Sequence, residues 1–218
     1  MGLENLLAVV EIWAGRLGAS LRLGTLAIAI WGMVRATQRP PACEAGPGTP
    51  YLRWPFLLAG TAIFLGAGAA LWRPLPLLLS LPWRLAALIL GTFILVLGVS
   101  LHLWGFFTLG GMFAPSTGFA VRLQSEPRRV TGGPFRIVRH PMSLAVILSF
   151  AGELLLYRTW TMHVFAVGML GLVVRARRED GLLRAEFGEA WQTWAGQVPA
   201  WIPRVGRRSR SAGRTRRG

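Results

Sequence analysis

Charge is what this sequence has least of. Only 15% of its 218 residues are charged, where a soluble domain carries about 25%, and 53% are hydrophobic. That balance excludes an ordinary water-soluble globule. Lysine is missing altogether: all 24 basic residues are arginine, against 9 acidic residues. An excess of this size can serve nucleic acid. Here, however, the arginines cluster between and after long apolar runs, as on the cytoplasmic side of a membrane protein. The single cysteine, Cys43, excludes an internal disulfide and a cysteine-built metal site, and it reads as an incidental loop thiol. A signal peptide's basic n-region is also lacking, since Glu4 precedes the first apolar run, so the first helix is expected to be retained.

What is present is a series of apolar runs, and a span needs about 20 mainly apolar residues. Five stretches qualify or come close: Ala19 to Val34, continuing an N-terminal interfacial helix with Glu11 and Arg16; Trp54 to Trp72; Trp83 to Phe107; Met142 to Tyr157; and Trp160 to Val174. Only Arg158 and Thr159 separate the last two, which predicts a tight helical hairpin. Residues 74–82 are apolar but broken by prolines, which predicts a loop or re-entrant piece. Trp54, Trp72, Trp83, Trp104 and Trp160 fall at span ends, as in an aromatic belt.

Five spans put the termini on opposite sides. With the C-terminus inside, the inner face holds three arginines in 35–53, five in 122–139 and eleven from Arg175 onward. The outer face holds five: Arg16, Arg22, Arg73, Arg84 and Arg158. The positive-inside rule therefore predicts a cytoplasmic C-terminus. The tail from Arg204 to Gly218 is expected to be disordered and to rest on anionic lipid.

This orientation puts most reactive groups on two cytoplasmic segments, the loop Thr108–His140 and the polar helix from Arg175 to Trp194. Gly132 and Gly133 allow a ligand to approach the main chain. Pro141 suits the first turn of a helix, which sets Arg139 and His140 at a helix mouth whose amides and dipole favour an anion. A juxtamembrane loop with a proline at its helix start has the same composition without any function. Downstream, Leu183, Phe187, Ala190 or Trp191, and Trp194 recur at helical spacing as a packing stripe. Glu179 and Asp180 oppose the positive-inside trend, and a salt-bridge network or a cation site fits them equally. Glu153 lies within a span, one turn from Arg158, and reads as a structural ion pair or protonated helix contact. His102 reads as a packing or interface residue rather than a base, and His163 as neither.

The run GPFRIVRHPM, an apolar hairpin, and then REDGLLRAEFGEAWQTWAGQVPAWIP together resemble the isoprenylcysteine carboxyl methyltransferase family and its phospholipid methyltransferase relatives. The matching positions are Gly133, Pro134, Arg139, His140, Pro141, Glu179, Phe187, Gly188, Val198, Pro199 and Pro203. Phe135, Trp191 and Trp194 stand where the family has tyrosine, Asp180 where it has a second glutamate, and Ser143 where it has tyrosine.

The resemblance implies an all-α polytopic transmembrane bundle of about five spans, with a cytoplasmic C-terminal helix completing a cofactor pocket. Residues 1–107 would be N-terminal spans, 108–203 the methyltransferase-like region and 204–218 the basic tail. It implies S-adenosylmethionine as cofactor, bound by Arg139, His140, Pro141, Met142, Ser143, Glu179 and Asp180, with Arg175 and Glu179 as catalytic residues. His140 and the amides at the helix start would meet the donor's carboxylate, and Glu179 with Asp180 its ammonium or ribose hydroxyls. Phe135, Met142 and Trp191 would pack the adenine or sulfonium, and Arg175 would hold an anionic acceptor. The implied partners are the lipid bilayer and a lipophilic methyl acceptor, without metal or nucleic acid. Two other readings are a sterol or lipid reductase, which has no dinucleotide-type glycine pattern here to support it, and a non-catalytic membrane protein of the same fold.

Overall fold

A computed structural model describes residues 2–37, 54–110 and 130–203. Cys43, residues 111–129 and the tail from Arg204 lie outside the described residues, so the disorder expected of that tail is not addressed by them. Every regular element among the described residues is helical. α1 is Leu3–Thr37, α2 Trp54–Ala70, α3 Leu81–Leu109, α4 Pro141–Tyr157, α5 Trp160–Met169 and α6 Gly171–Gln197, with a 3₁₀ turn at Gly133–Arg136.

The helix starts follow local chemistry. Proline occupies the first turn of α3 (Pro82) and of α4 (Pro141), where its missing N–H costs no hydrogen bond. Thr159 caps α5, its hydroxyl accepting from the Met162 amide. The proline-broken segment 73–80 is irregular, as expected, and is pinned to the α4–α5 turn. Leu75 N donates to the Arg158 carbonyl at 2.7 Å, and Trp160 N donates to Arg73 O at 2.9 Å.

The spine of the molecule is the antiparallel pair α3–α4. Gly91, Gly98 and Gly105 recur every seven residues on α3, and Gly152 faces them from α4. A Cβ on Gly98 would lie 2.7 Å from Ser149 N, and one on Gly152 would lie 2.5 Å from Leu95 N. The backbones therefore touch, as small residues permit in helix pairs that cannot rely on water to drive them together. Leu88, Leu95 and Val99 of α3 form a core with Leu7 of α1 and Leu156 of α4. Tyr157 OH ties α4 to α1 by donating to Gly15 O at 2.6 Å. α2 joins through α5: Phe64 stacks on Phe165 at 4.2 Å, and Thr161 Oγ1 donates to Gly68 O at 2.7 Å.

The outward faces are apolar. α3 is long and apolar enough to cross a membrane, about 44 Å at 1.5 Å per residue, and Ile89, Phe93 and Phe107 on it are exposed. α4 and the described part of α2 are shorter apolar helices. The expected fifth span differs from what forms. Its first helix stops at Met169, after ten residues. Leu170 then makes i+3 bonds on both sides, and α6 continues past the polar segment. Gly168 and Gly171 flank this step, and glycine weakens a helix interior by about 1 kcal/mol, a sign that the hydropathy pattern alone does not register.

Candidate functional site

The end of the α3–α4 pair where α3 stops and α4 starts, labelled the inner end, carries the site. Gly133 takes a left-handed φ of +54°, and a Cβ there would run into Thr108 of α3. This glycine is therefore required by the loop's close seat on α3, not by a ligand's approach. Val138 and Pro134 are buried beneath it, and the chain reaches the mouth of α4 at Arg139 and His140.

Asp180, from α6, bridges these two residues. Its Oδ1 lies 2.9 Å from His140 Nε2, and its Oδ2 lies 3.2 Å from an Arg139 guanidinium nitrogen. A carboxylate only accepts hydrogen bonds, so the His140 Nε2–H donates and fixes the tautomer. Asp180 thus takes part in a salt-bridge network, one of the two readings left open for it. The Arg139 guanidinium sits 5.3 Å from the centre of the Trp191 ring. Trp201 lies beside the His140 ring, centroids 5.6 Å apart.

The C-terminal segment closes over the mouth. Arg139 N donates to Pro199 O at 2.8 Å and His140 N to Ala200 O at 3.3 Å. These two amides are therefore taken. Within α4, the helical ladder itself leaves open only the amides of Met142 and Ser143, because Pro141 has none. Met142 does not project freely either: a Cβ on Gly105 would lie 2.5 Å from its sulfur, so the side chain packs on α3.

Two buried donors in this cluster, Arg139 Nε and Trp191 Nε1, have no hydrogen-bond partner among the described residues. Leaving such groups bare costs roughly 1–3 kcal/mol each, which marks the spot as one where a ligand's acceptor atoms would be stabilised. Glu179 is half-buried on α6 and has no ion pair among the described residues. Arg175, exposed, precedes it by four positions on one helical face. Phe135 is half-buried in the 3₁₀ turn. Gly188 breaks α6 at φ +53°, which re-aims the segment carrying Trp191 toward Arg139.

Glu153 pairs with Arg22 of α1 at 2.7 Å, not with Arg158. Arg22 also lies over the Phe150 ring, at 4.8 Å. Arg22 is therefore half-buried against α4. Arg158 instead joins Arg84 on Glu11 at the opposite end of the α3–α4 pair, labelled the outer end. His102 is buried in α3, and neither ring nitrogen has a partner among the described residues. The Asp180 bridge and the Val198–Trp201 clasp were missed from the sequence. The Val-Pro block was visible there, but nothing in it says which amides its carbonyls accept from. No cluster of three or more metal-ligating side chains occurs among the described residues.

The model of the phospholipid methyltransferase family matches residues 86–190, from the second turn of α3 to the segment just before Trp191. No curated protein matches the chain significantly.

Proposed function

We propose that the chain, whose residues 86–190 match the phospholipid methyltransferase family, is an integral membrane enzyme transferring a methyl group from S-adenosylmethionine to a lipophilic acceptor. The observation that carries the reading is the cluster at the inner end, where Arg139, His140, Asp180 and Trp191 converge from two segments inside the matched region or at its edge. Its chemistry fits the cofactor's amino-acid end. Among the described residues, Arg139 Nε and Trp191 Nε1 are buried donors without a partner and suit a carboxylate, and the helical ladder leaves the Met142 and Ser143 amides open to it. Glu179, without an ion pair among the described residues, suits an ammonium.

When bound, the cofactor supplies an electrophilic methyl group. The chain's own residues bind and orient. Asp180 holds the His140 ring and the Arg139 fork in place, and the Val198–Trp201 clasp keeps water from the helix mouth. Arg175, one turn nearer the bilayer than Glu179, would hold an anionic acceptor. Alignment of two bound reactants can contribute roughly 7–11 kcal/mol, and a carboxylate acceptor needs no base. A prenylcysteine-type carboxylate is one acceptor of this class.

The exposed apolar faces of α1, α2 and α3 support a bundle of about five spans, with residues 1–107 as N-terminal spans, 108–203 as the catalytic region and the C-terminus cytoplasmic. A reporter fused after Gly218 should be active only inside. The function itself is tested by calorimetry on the purified protein in detergent. S-adenosylhomocysteine should bind in the micromolar range, and His140→Ala and Glu179→Ala should abolish it. A folded protein that does not bind would favour a non-catalytic relative of the same fold.

A further inference from the structure

The outer end of the bundle holds a second charged site, remote from the one above. A cleft of about 590 Å³ is lined by Leu77, Leu78, Leu79, Ser80, Arg84 and Arg158. Both arginines lean on one carboxylate. Arg84 donates twice to Glu11, through Nε and NH2, and Arg158 donates to it at 2.9 Å and to the Leu155 carbonyl at 3.2 Å. A guanidinium has five N–H donors, so most of each fork is left for another acceptor. The local charge is positive even with Glu4 counted, whose field also reaches Arg84, because Arg16 and Arg73 lie at the same end.

Two further observations point to a ligand. Arg158 is the one non-glycine residue with positive φ among the described residues, at φ 48°, ψ 45°. Strain of that kind costs about 1–3 kcal/mol and persists where the surroundings hold it; here the Leu75 amide holds the Arg158 carbonyl. An asparagine or glycine would sit there at less cost, but without the cation. Beside the two arginines, Leu77 and Leu78 project outward, Leu78 fully exposed. The combination is a cationic fork next to an apolar wall at the level where α3 begins.

We infer that this cleft binds the phosphate headgroup of an anionic membrane lipid, held by Arg84 and Arg158 with its acyl chains along Leu77 and Leu78. The lipid fastens the 73–80 segment to the start of α3 and the α4–α5 turn. The site is independent of methyl transfer.

The test is native mass spectrometry of the full chain in detergent with phosphatidylglycerol or phosphatidylcholine added. One phosphatidylglycerol should be retained at least about tenfold better than phosphatidylcholine, as a charge-assisted fork predicts. The double variant Arg84→Gln/Arg158→Asn should lose this preference, while Arg158→Lys should retain most of it. Arg207→Gln/Arg208→Gln removes the same charge from the tail and should leave it intact. Equal loss in the tail variant, no preference in the wild type, or displacement by millimolar inorganic phosphate would each overturn the assignment.

Discussion

The two ends of the α3–α4 spine are built on the same motif with opposite surroundings. At the inner end Asp180 bridges Arg139 and His140; at the outer end Glu11 bridges Arg84 and Arg158. Each is one carboxylate between two basic side chains, and counting ion pairs would rank them alike. What separates them is the neighbourhood. The inner cluster adds the indole of Trp191, two buried donors without partners among the described residues and a clasp from residues 198–201. The outer one adds an open cleft and exposed leucines. The first suits a polar ligand drawn out of water, the second an amphiphile that stays in the bilayer. An ion pair therefore says little about function until the unsatisfied atoms beside it are named.

The largest effect should come from breaking what the two ends share. Gly152→Val places methyl groups against Leu95 N and the Gly91 carbonyl, backbone atoms that cannot swing aside. Overpacking of this kind costs roughly 1–3 kcal/mol and occasionally more, and backbone contact puts this site at the upper end. Thermal unfolding in detergent should fall by several degrees, and both S-adenosylhomocysteine binding and lipid retention should weaken together. If only one end responds, the spine does not couple them.

How much of this was legible beforehand divides along the same axis. The helices, the hairpin at Arg158–Thr159 and the block around His140 follow from hydropathy, proline placement and residue pattern. Three features did not. Glycines at 91, 98 and 105 look like any permissive residues until α4 is laid against them. Glu153 has Arg158 within a turn in sequence, yet Arg22 reaches it from α1, because the Arg158 side chain turns outward from its left-handed backbone to Glu11. The amides at the helix mouth are expected to meet an anion, yet those of Arg139 and His140 donate to Pro199 O and Ala200 O. All three are long-range pairings, which local pattern does not encode.

A smaller and one-sided effect is expected from Asp180→Asn. The amide keeps the shape but removes the charge that both Arg139 and His140 face. Loss of one partner from a buried charged pair costs roughly 3–5 kcal/mol; these side chains are 16–19% and 6% exposed, so about 2 kcal/mol is expected after screening. S-adenosylhomocysteine should bind roughly 30-fold more weakly, with retained phosphatidylglycerol unchanged. A loss of lipid retention of the same size would show that the two ends are one cooperative unit.

The smallest effect is a pH dependence confined to the outer end. Burial alone would raise the Glu11 pKa, but hydrogen bonds and charge from Arg84 and Arg158 outweigh it and leave the carboxyl below its ordinary value. A group whose folded pKa is depressed contributes stability that is fully present above its unfolded pKa and is lost as pH falls through the folded one. The outer clamp should therefore be intact at neutral pH and weaken only below the ordinary carboxylate range. Because two arginines hold Glu11 and its side chain keeps 14% of its surface exposed, the change is about a degree or two in the unfolding temperature between pH 6 and pH 3, read against Glu11→Gln, which should be flat across that window apart from what the other carboxylates contribute. A wild-type curve that parallels Glu11→Gln throughout would mean that Arg84 and Arg158 hold their places without Glu11, and that the outer fork is positioned by the backbone at Arg158 alone.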